Sequence, residues 1–196
     1  MKSIKKATLI GVIFLSLTIS CGQDIEEVNQ NNLNLFKMVV NGRLWMPSVI
    51  DSCHRTFKCD MSSLNQDNFY RIEAYKDPLS LTNLKSENFF EMEIMKVNKS
   101  ANYIIDGVFR DFSNYARFTI NDLTGKRVYQ NKKNGISFKV SITQLFPNLN
   151  SSIVGIAGSF NGTLYNIENP LDSIRINRGE FIFKKTNWNN FNQCKE

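Results

Sequence analysis

The chain has 196 residues, of which 42% are hydrophobic and 21% charged, a composition typical of a folded domain rather than a disordered chain. Its formal net charge is +6, but three of its lysines lie within the first six residues, and without them the charge is only +3. A charge this small does not predict a nucleic-acid partner. About 176 residues follow position 20, which is enough for one domain with a single core.

The first 20 residues have the order of a bacterial export signal. Lys2, Lys5 and Lys6 precede an apolar core, Ala7–Leu17, as export signals require. The uncharged stretch Ala7–Ser20 would form a helix of roughly 21 Å, which is shorter than a hydrocarbon core of about 30 Å. The sequence therefore predicts a signal peptide over residues 1–20 that is removed, with a retained membrane helix as an alternative.

Cys21 follows this signal directly. The residues Thr18-Ile19-Ser20-Cys21 resemble the lipobox of bacterial lipoproteins, although lipoboxes usually have Leu at the position of Thr18. The resemblance implies that Cys21 is acylated, and two or more acyl chains hold a protein stably on a bilayer. Cleavage after Ser20 without lipidation is the alternative. We expect a lipid-anchored protein of the cell envelope at the outer membrane, on its periplasmic face or at the cell surface.

Residues 21–33 are predicted to form a flexible tether, because Gly22–Asn32 lacks hydrophobic periodicity and would span at most about 40 Å. From Leu35 onward, apolar and polar side chains alternate and Asn-Gly pairs mark turns, as in antiparallel β-structure. The sequence therefore predicts an all-β domain over residues 34–186, a single antiparallel β-sandwich or barrel-like fold of about 8–10 strands. A C-terminal tail is predicted over residues 187–196.

Individual strands are predicted from this alternation. They are Phe36–Val40, Arg43–Met46, Phe69–Lys76, Phe90–Val97, Tyr115–Ile120, Arg127–Gln130, Ile136–Ile142, Ile153–Ile167, Ser173–Ile176 and Gly179–Lys184. Asn41-Gly42 predicts a type I′ hairpin turn, and Asn134-Gly135 predicts a second turn. Asn177-Arg178-Gly179 is predicted to be the turn of the last hairpin. Glycines inside Ile153–Ile167, the longest strand, predict a bend that lets this strand join two sheets.

Three segments carry a resemblance to a known group of proteins. The hairpin Val39–Trp45, the segment Gly158–Leu164 and the segment Ile174–Phe181 resemble Bacteroidetes lipoproteins assigned to domains of unknown function. The resemblance implies an all-β fold and no particular activity. Trp45 recurs in that pattern and is a candidate ligand platform, with a place in the core as the alternative.

The cysteines predict a disulfide. Cys53 and Cys59 lie close together in a stretch predicted to be a polar loop, and an exported chain meets an oxidising compartment. Cys194 is then left over, and pairing with either loop cysteine or a free thiol in the tail are its alternatives. Cys53, His54 and Cys59 do not make a zinc site, because a fourth ligand at a recognisable spacing is missing. A Cys-His nucleophilic pair is not predicted either, since neighbouring residues on a strand point apart.

No catalytic residues or cofactors are predicted. Glu91 and Glu93 would project from one face of a strand about 7 Å apart, which suits a carboxylate pair for glycoside hydrolysis, but a solvated sheet face is the alternative. Ser173, in Asp172-Ser173-Ile174, matches an O-glycosylation motif of Bacteroidetes. We expect a non-catalytic module that binds a glycan, a small apolar ligand or an envelope protein, with an envelope hydrolase that uses a carboxylate pair as the alternative.

Overall fold

Eleven antiparallel strands make up the part of the chain that the structure describes, so the predicted all-β fold is confirmed. The structure is a computed structural model, and it describes residues 34–48, 56–64, 67–76, 88–122, 125–134, 137–147, 153–184 and 186. The strands are β1 (Leu35–Val40), β2 (Arg43–Trp45), β3 (Phe57–Leu64), β4 (Asp67–Lys76), β5 (Asn88–Ile94), β6 (Ala101–Ile104), β7 (Tyr115–Asp122), β8 (Gly125–Gln130), β9 (Phe138–Pro147), β10 (Ile153–Asn166) and β11 (Ser173–Phe183). The predicted signal peptide, Cys21, the tether, Cys53 and the tail 187–196 lie outside the described residues.

The strands form one curled sheet that branches at β10. Its order is β2-β1-β11-β10-β8-β7-β5-β4-β3, and β9 pairs with both β10 and β6. The last residues of β10, Tyr165 and Asn166, pair with β8, whereas earlier residues pair with β9. β10 therefore pairs with both branches of one sheet rather than joining two sheets, and its pairing shifts register beside Gly158 and Gly162. Gly162 has φ +154°, and a Cβ there would lie 2.2 Å from the carbonyl oxygen of Ser137, so only glycine fits.

The sheet curls around aromatic side chains contributed by both of its halves. Phe160 of β10 lies near the centre, with its ring centroid 5.6 Å from that of Phe36 in β1 and 5.2 Å from that of Phe90 in β5. All three side chains are almost completely buried. Because the rings come from strands far apart in the sequence, their burial depends on the whole sheet and defines a single core.

The prediction of a final hairpin, formed by Ser173–Ile176 and Gly179–Lys184, is wrong. β11 runs unbroken from Ser173 to Phe183 between β1 and β10. Arg178 has φ +48°, and the pairing of both neighbouring strands shifts register beside it. These residues therefore form a bulge, since a bulge and a tight turn need the same positive φ.

Other sequence predictions need smaller corrections. β3 occupies part of the stretch that was predicted to be a polar loop around Cys59. Asn134 does lie in a turn, with φ +55°, but the strands on either side of it, β8 and β9, pair with other strands rather than with each other. The Asn41-Gly42 hairpin is confirmed, with φ +48° and +82° at its two central residues.

Candidate functional site

The outer face of β3, β4, β5 and β7, which points away from the core, carries two rows of charged side chains. Strand alternation puts Tyr70, Ile72 and Ala74 of β4 in the core and sends Arg71 and Glu73 outward. Strand pairing aligns one residue from each of β3, β4, β5 and β7 in each row. The first row is Lys58, Glu73, Glu91 and Arg117, and the second row is Asp60, Arg71, Glu93 and Tyr115. Neighbouring residues in these rows are close enough for side chains to interact.

A cavity of about 230 Å³ opens beside the second row, and we call it the Arg71 pocket. It is lined by the charged residues Asp60, Arg71 and Glu93, by the aromatic residues Phe69 and Phe112, and by Met61 and Ser62 of β3. The pocket lies where β3 and β5 end and β4 begins.

Ion pairs fix the charged groups of the pocket. Arg71 donates from Nε and Nη2 to Oε2 of Glu93 at 3.0 and 2.7 Å, and this hydrogen bonding raises the pKa of Arg71. Lys58 donates to Oδ2 of Asp60 at 2.8 Å and lies 3.1 Å from Oε2 of Glu73. Burial works to lower the pKa of Lys58, but these two carboxylates outweigh it, so the pKa is raised.

Phe112 belongs to the loop between β6 and β7, residues 105–114, which we call the Phe112 loop. Its side chain is 82% exposed although it is phenylalanine. Its φ is +43°, and Arg110 in the same loop has φ +67°. Positive φ is uncommon for residues other than glycine and costs free energy at a bulky side chain. The loop therefore holds an apolar ring in water on a strained backbone, at the mouth of the Arg71 pocket.

Phe109 docks the same loop onto the outer face of the sheet. Its ring lies 4.4 Å from the guanidinium carbon of Arg117 and 4.9 Å from that of Arg110, and it meets Tyr115 edge to face at 5.3 Å. A ring flanked by two guanidinium groups gains cation–π attraction on top of its burial. These contacts fix the loop close to Glu91.

Glu91 lies in this region and is only 6% exposed, so the solvated face considered for it is wrong at this residue. The hydroxyl of Tyr115 donates to its Oε1 at 2.8 Å. Burial raises the pKa of Glu91, and the bond from Tyr115 offsets this effect in part. Glu93 lines the Arg71 pocket and Glu91 does not, so the carboxylate pair is divided between two environments.

The family of the chain is shown by its sequence. The model of a domain of unknown function, DUF5025, matches residues 33–184, a range that contains all the strands that the structure describes. The chain belongs to this family. No curated protein and no solved structure matches it significantly.

Trp45, which the sequence offered as a ligand platform, lies in the core of the DUF5025 domain. It is 7% exposed and meets Phe36 and Phe118 edge to face at 6.1 and 5.5 Å. The alternative of a core residue is therefore the one observed. Edge-to-face packing on both sides leaves the indole without a surface on which a ligand could stack.

Cys59 is a free thiol in the structure, which gives no support to a disulfide with Cys53. Its side chain points from β3 into the core, where burial raises its pKa well above the usual value. Ser173 is exposed at the start of β11. The neighbouring Asp172 accepts hydrogen bonds from Asn166 and Tyr129, both at 2.9 Å, and these bonds lower its pKa.

Neither a cluster of metal-ligating side chains nor a membrane-spanning helix is found among the described residues. No group of three or more histidine, cysteine or acidic side chains is arranged to hold a metal ion among them. In the same part of the chain, no helix has the length and apolarity needed to cross a bilayer.

The sequence reasoning missed Arg71, Phe69 and Phe112 of the Arg71 pocket. One signal could have pointed to the loop: Phe109 and Phe112 stand on either side of Arg110 and Asp111 in a stretch without strand alternation. Large aromatic residues in a loop without alternation are candidates for binding, because loops carry function more often than core elements do.

Proposed function

We propose that this chain is a lipid-anchored protein of the cell envelope, of the kind found in Bacteroidetes, that binds a glycan in the Arg71 pocket without acting on it chemically. Lipid on Cys21 would attach it to the outer membrane, and residues 21–33 would serve as its tether. The observation that carries the proposal is the pocket itself, in which the ionic groups of Asp60, Arg71 and Glu93 face the rings of Phe69 and Phe112.

A sugar ring matches both kinds of lining. Its hydroxyl edge can exchange hydrogen bonds with carboxylates and a guanidinium, and its C–H face can pack on an aromatic ring. Binding pockets generally combine apolar walls with a few convergent polar groups that fix orientation. A purely apolar ligand would leave the charges of Arg71 and Glu93 without water and without new partners, which costs free energy. The charged lining therefore favours a glycan over a small apolar ligand.

The alternative of a hydrolase needs two accessible carboxyl groups on either side of one bond. Glu91 and Glu93 have a suitable spacing along β5, about 7 Å. Glu91, however, is buried and bonded to Tyr115, whereas Glu93 is ion-paired with Arg71. Of this pair only Glu93 lines the pocket, so the two carboxyl groups cannot approach one substrate from two sides in this arrangement. The other carboxylate of the pocket, Asp60, is ion-paired with Lys58, and a binding role is favoured.

A thermal-shift screen of the purified full chain against a panel of glycans tests this proposal. We expect at least one glycan to raise the unfolding temperature of the wild type, to lose this effect with Arg71→Gln, and to remain unhydrolysed. Arg127→Gln is the matched control, because Arg127 makes a similar ion pair with Asp122 at 2.5 Å on an exposed surface and should leave the shift unchanged. Hydrolysis of a stabilising glycan would support the enzyme, and the absence of any shift would contradict the glycan-binding proposal.

The anchor is tested separately by labelling cells with a fatty acid. We expect label on the wild-type chain and none on Cys21→Ala. A wild-type chain that stays unlabelled and soluble after export would contradict lipidation.

A further inference from the structure

The Phe112 loop keeps an unfavourable arrangement that must be supported from elsewhere. Phe112 combines φ +43° with 82% exposure, so its own ring gains little from packing that could offset the backbone strain. Strained residues persist where the surrounding structure holds them, and they cluster at ligand-binding elements. The contacts that hold this loop therefore identify the residues that keep Phe112 in its exposed position.

Asn131 anchors the Phe112 loop to the sheet but does not line the Arg71 pocket. It is 3% exposed and lies just after β8. Its Nδ2 donates to the carbonyl of Gly107 at 2.7 Å, and its Oδ1 accepts from the backbone N–H of Ala116 at 2.8 Å. One side chain thus joins the beginning of the loop to the strand that follows it.

Asn114 makes a second clamp at the end of the loop. Its Oδ1 accepts from the N–H of Met95 at 2.7 Å, and its Nδ2 donates to the carbonyl of Ile104 at 2.9 Å. Within the loop, Gly107 donates to the carbonyl of Asn114 at 2.8 Å. A Cβ at Gly107 would lie 2.0 Å from Oγ of Ser113, so the two ends of the loop approach as closely as glycine allows.

We infer that the Phe112 loop is a preformed clamp that selects the ligand of the Arg71 pocket, and that Asn131 is the residue that positions it. The inference rests on the proposed glycan-binding function and names its ligand more closely. The ring of Phe112 takes the C–H face of one pyranose, and Arg71 and Asp60 take its hydroxyl edge. The cavity of about 230 Å³ is below the usual range for drug-sized ligands, so it takes a single sugar ring at the end of a chain.

Preorganisation explains why the molecule keeps the strain. A loop that is already ordered in the free protein loses little conformational entropy when the ligand binds. More of the free energy of its contacts with the ligand therefore appears as affinity. Loosening the loop at Asn131 should therefore weaken binding, even though Asn131 does not line the pocket.

The test compares Asn131→Ala with Asn166→Ala in the full chain. Asn166 is a matched control: it is 8% exposed, its Oδ1 accepts from the N–H of Glu168 at 3.0 Å, and its Nδ2 donates to Asp172 at 2.9 Å. Each variant loses at least two hydrogen bonds made by the side chain of a buried asparagine, so the two should lose similar thermal stability. The probes are the methyl glycosides of glucose, galactose and mannose, titrated calorimetrically below the unfolding temperature of either variant.

We expect the wild type to bind at least one probe, Asn131→Ala to bind it at least about tenfold more weakly, and Asn166→Ala to bind it like the wild type. Amide hydrogen exchange should be faster over residues 105–114 in Asn131→Ala only. Phe112→Ala should also lose binding, and Phe112→Trp should retain it. Equal binding by Asn131→Ala and the wild type would overturn the clamp while leaving the proposed function in place. No binding by the wild type would overturn both.

Discussion

Replacing Phe160 by alanine tests whether the curled sheet has one cooperative core. The Phe160 side chain is 1% exposed, and four rings surround it at centroid distances from 5.2 to 6.2 Å. Replacing a buried phenylalanine by alanine costs about 3–5 kcal/mol. We expect the upper part of that range, because the neighbouring rings come from β1, β5, β9 and β11 and cannot all relax into the cavity.

The assay is equilibrium unfolding in urea, followed by circular dichroism and by tryptophan fluorescence, for which Trp45 is a probe buried in the core. A loss of about 4–5 kcal/mol is a large fraction of the 5–15 kcal/mol typical of a domain, so the midpoint should fall sharply for both signals together. The control is Phe112→Ala, whose exposed ring should change stability by no more than about 0.5 kcal/mol. A loss below about 1.5 kcal/mol for Phe160→Ala, or two separated transitions, would refute the single core.

Two further predictions concern the outer face. Burial raises the folded-state pKa of Glu91 above its usual value. Between the unfolded and folded pKa values the folded chain therefore binds more protons than the unfolded chain, and stability falls as pH rises through the folded pKa. Glu91→Gln should remove this fall and raise the free energy of unfolding at neutral pH, with no gain near pH 4. A pH-independent loss of stability would contradict the prediction. Phe112→Gly should be about 1 kcal/mol more stable than Phe112→Ala in the same urea assay, because glycine tolerates the positive φ. Equal stabilities of the two variants would show that the backbone is not strained at this position.

Local sequence was sufficient to predict elements whose geometry is set by neighbouring residues. The Asn41-Gly42 turn requires two positive φ values, and few residue pairs other than Asn-Gly supply them easily. In β4 and β5 the alternation of apolar and polar residues matches the observed core and outer faces. Glycines inside β10 indicated a local irregularity for the same reason, and the pairing of β10 shifts register beside Gly158 and Gly162.

Where distant pairing decides the structure, the sequence was ambiguous. Asn177-Arg178-Gly179 has the composition of both a turn and a bulge, and β1 and β10, pairing on its two sides, make it a bulge. β3 was missed although Phe57, Cys59 and Met61 alternate with polar residues, because the cysteines suggested a disulfide-bonded loop. Pattern alone does not show which partner covers such a strand.

The candidate site was hidden from the sequence for the same reason. Asp60, Arg71 and Glu93 come together only through the register of three strands. The burial of Glu91 depends on contacts from β7 and on Phe109, which lies in another segment of the chain. A charged residue on an outward strand face predicts exposure, and that expectation fails where a loop returns over the face.

The central claim is that the Arg71 pocket binds a sugar ring. Its most direct test is to add the methyl glycosides of glucose, galactose and mannose to the isotope-labelled full chain and to follow its NMR chemical shifts. The account predicts saturable shifts centred on the Nε–H of Arg71, the ring of Phe112 and the amide of Ser62, for at least one of the three sugars. Saturable shifts confined to another face of the sheet, or none with any of these sugars, would contradict it.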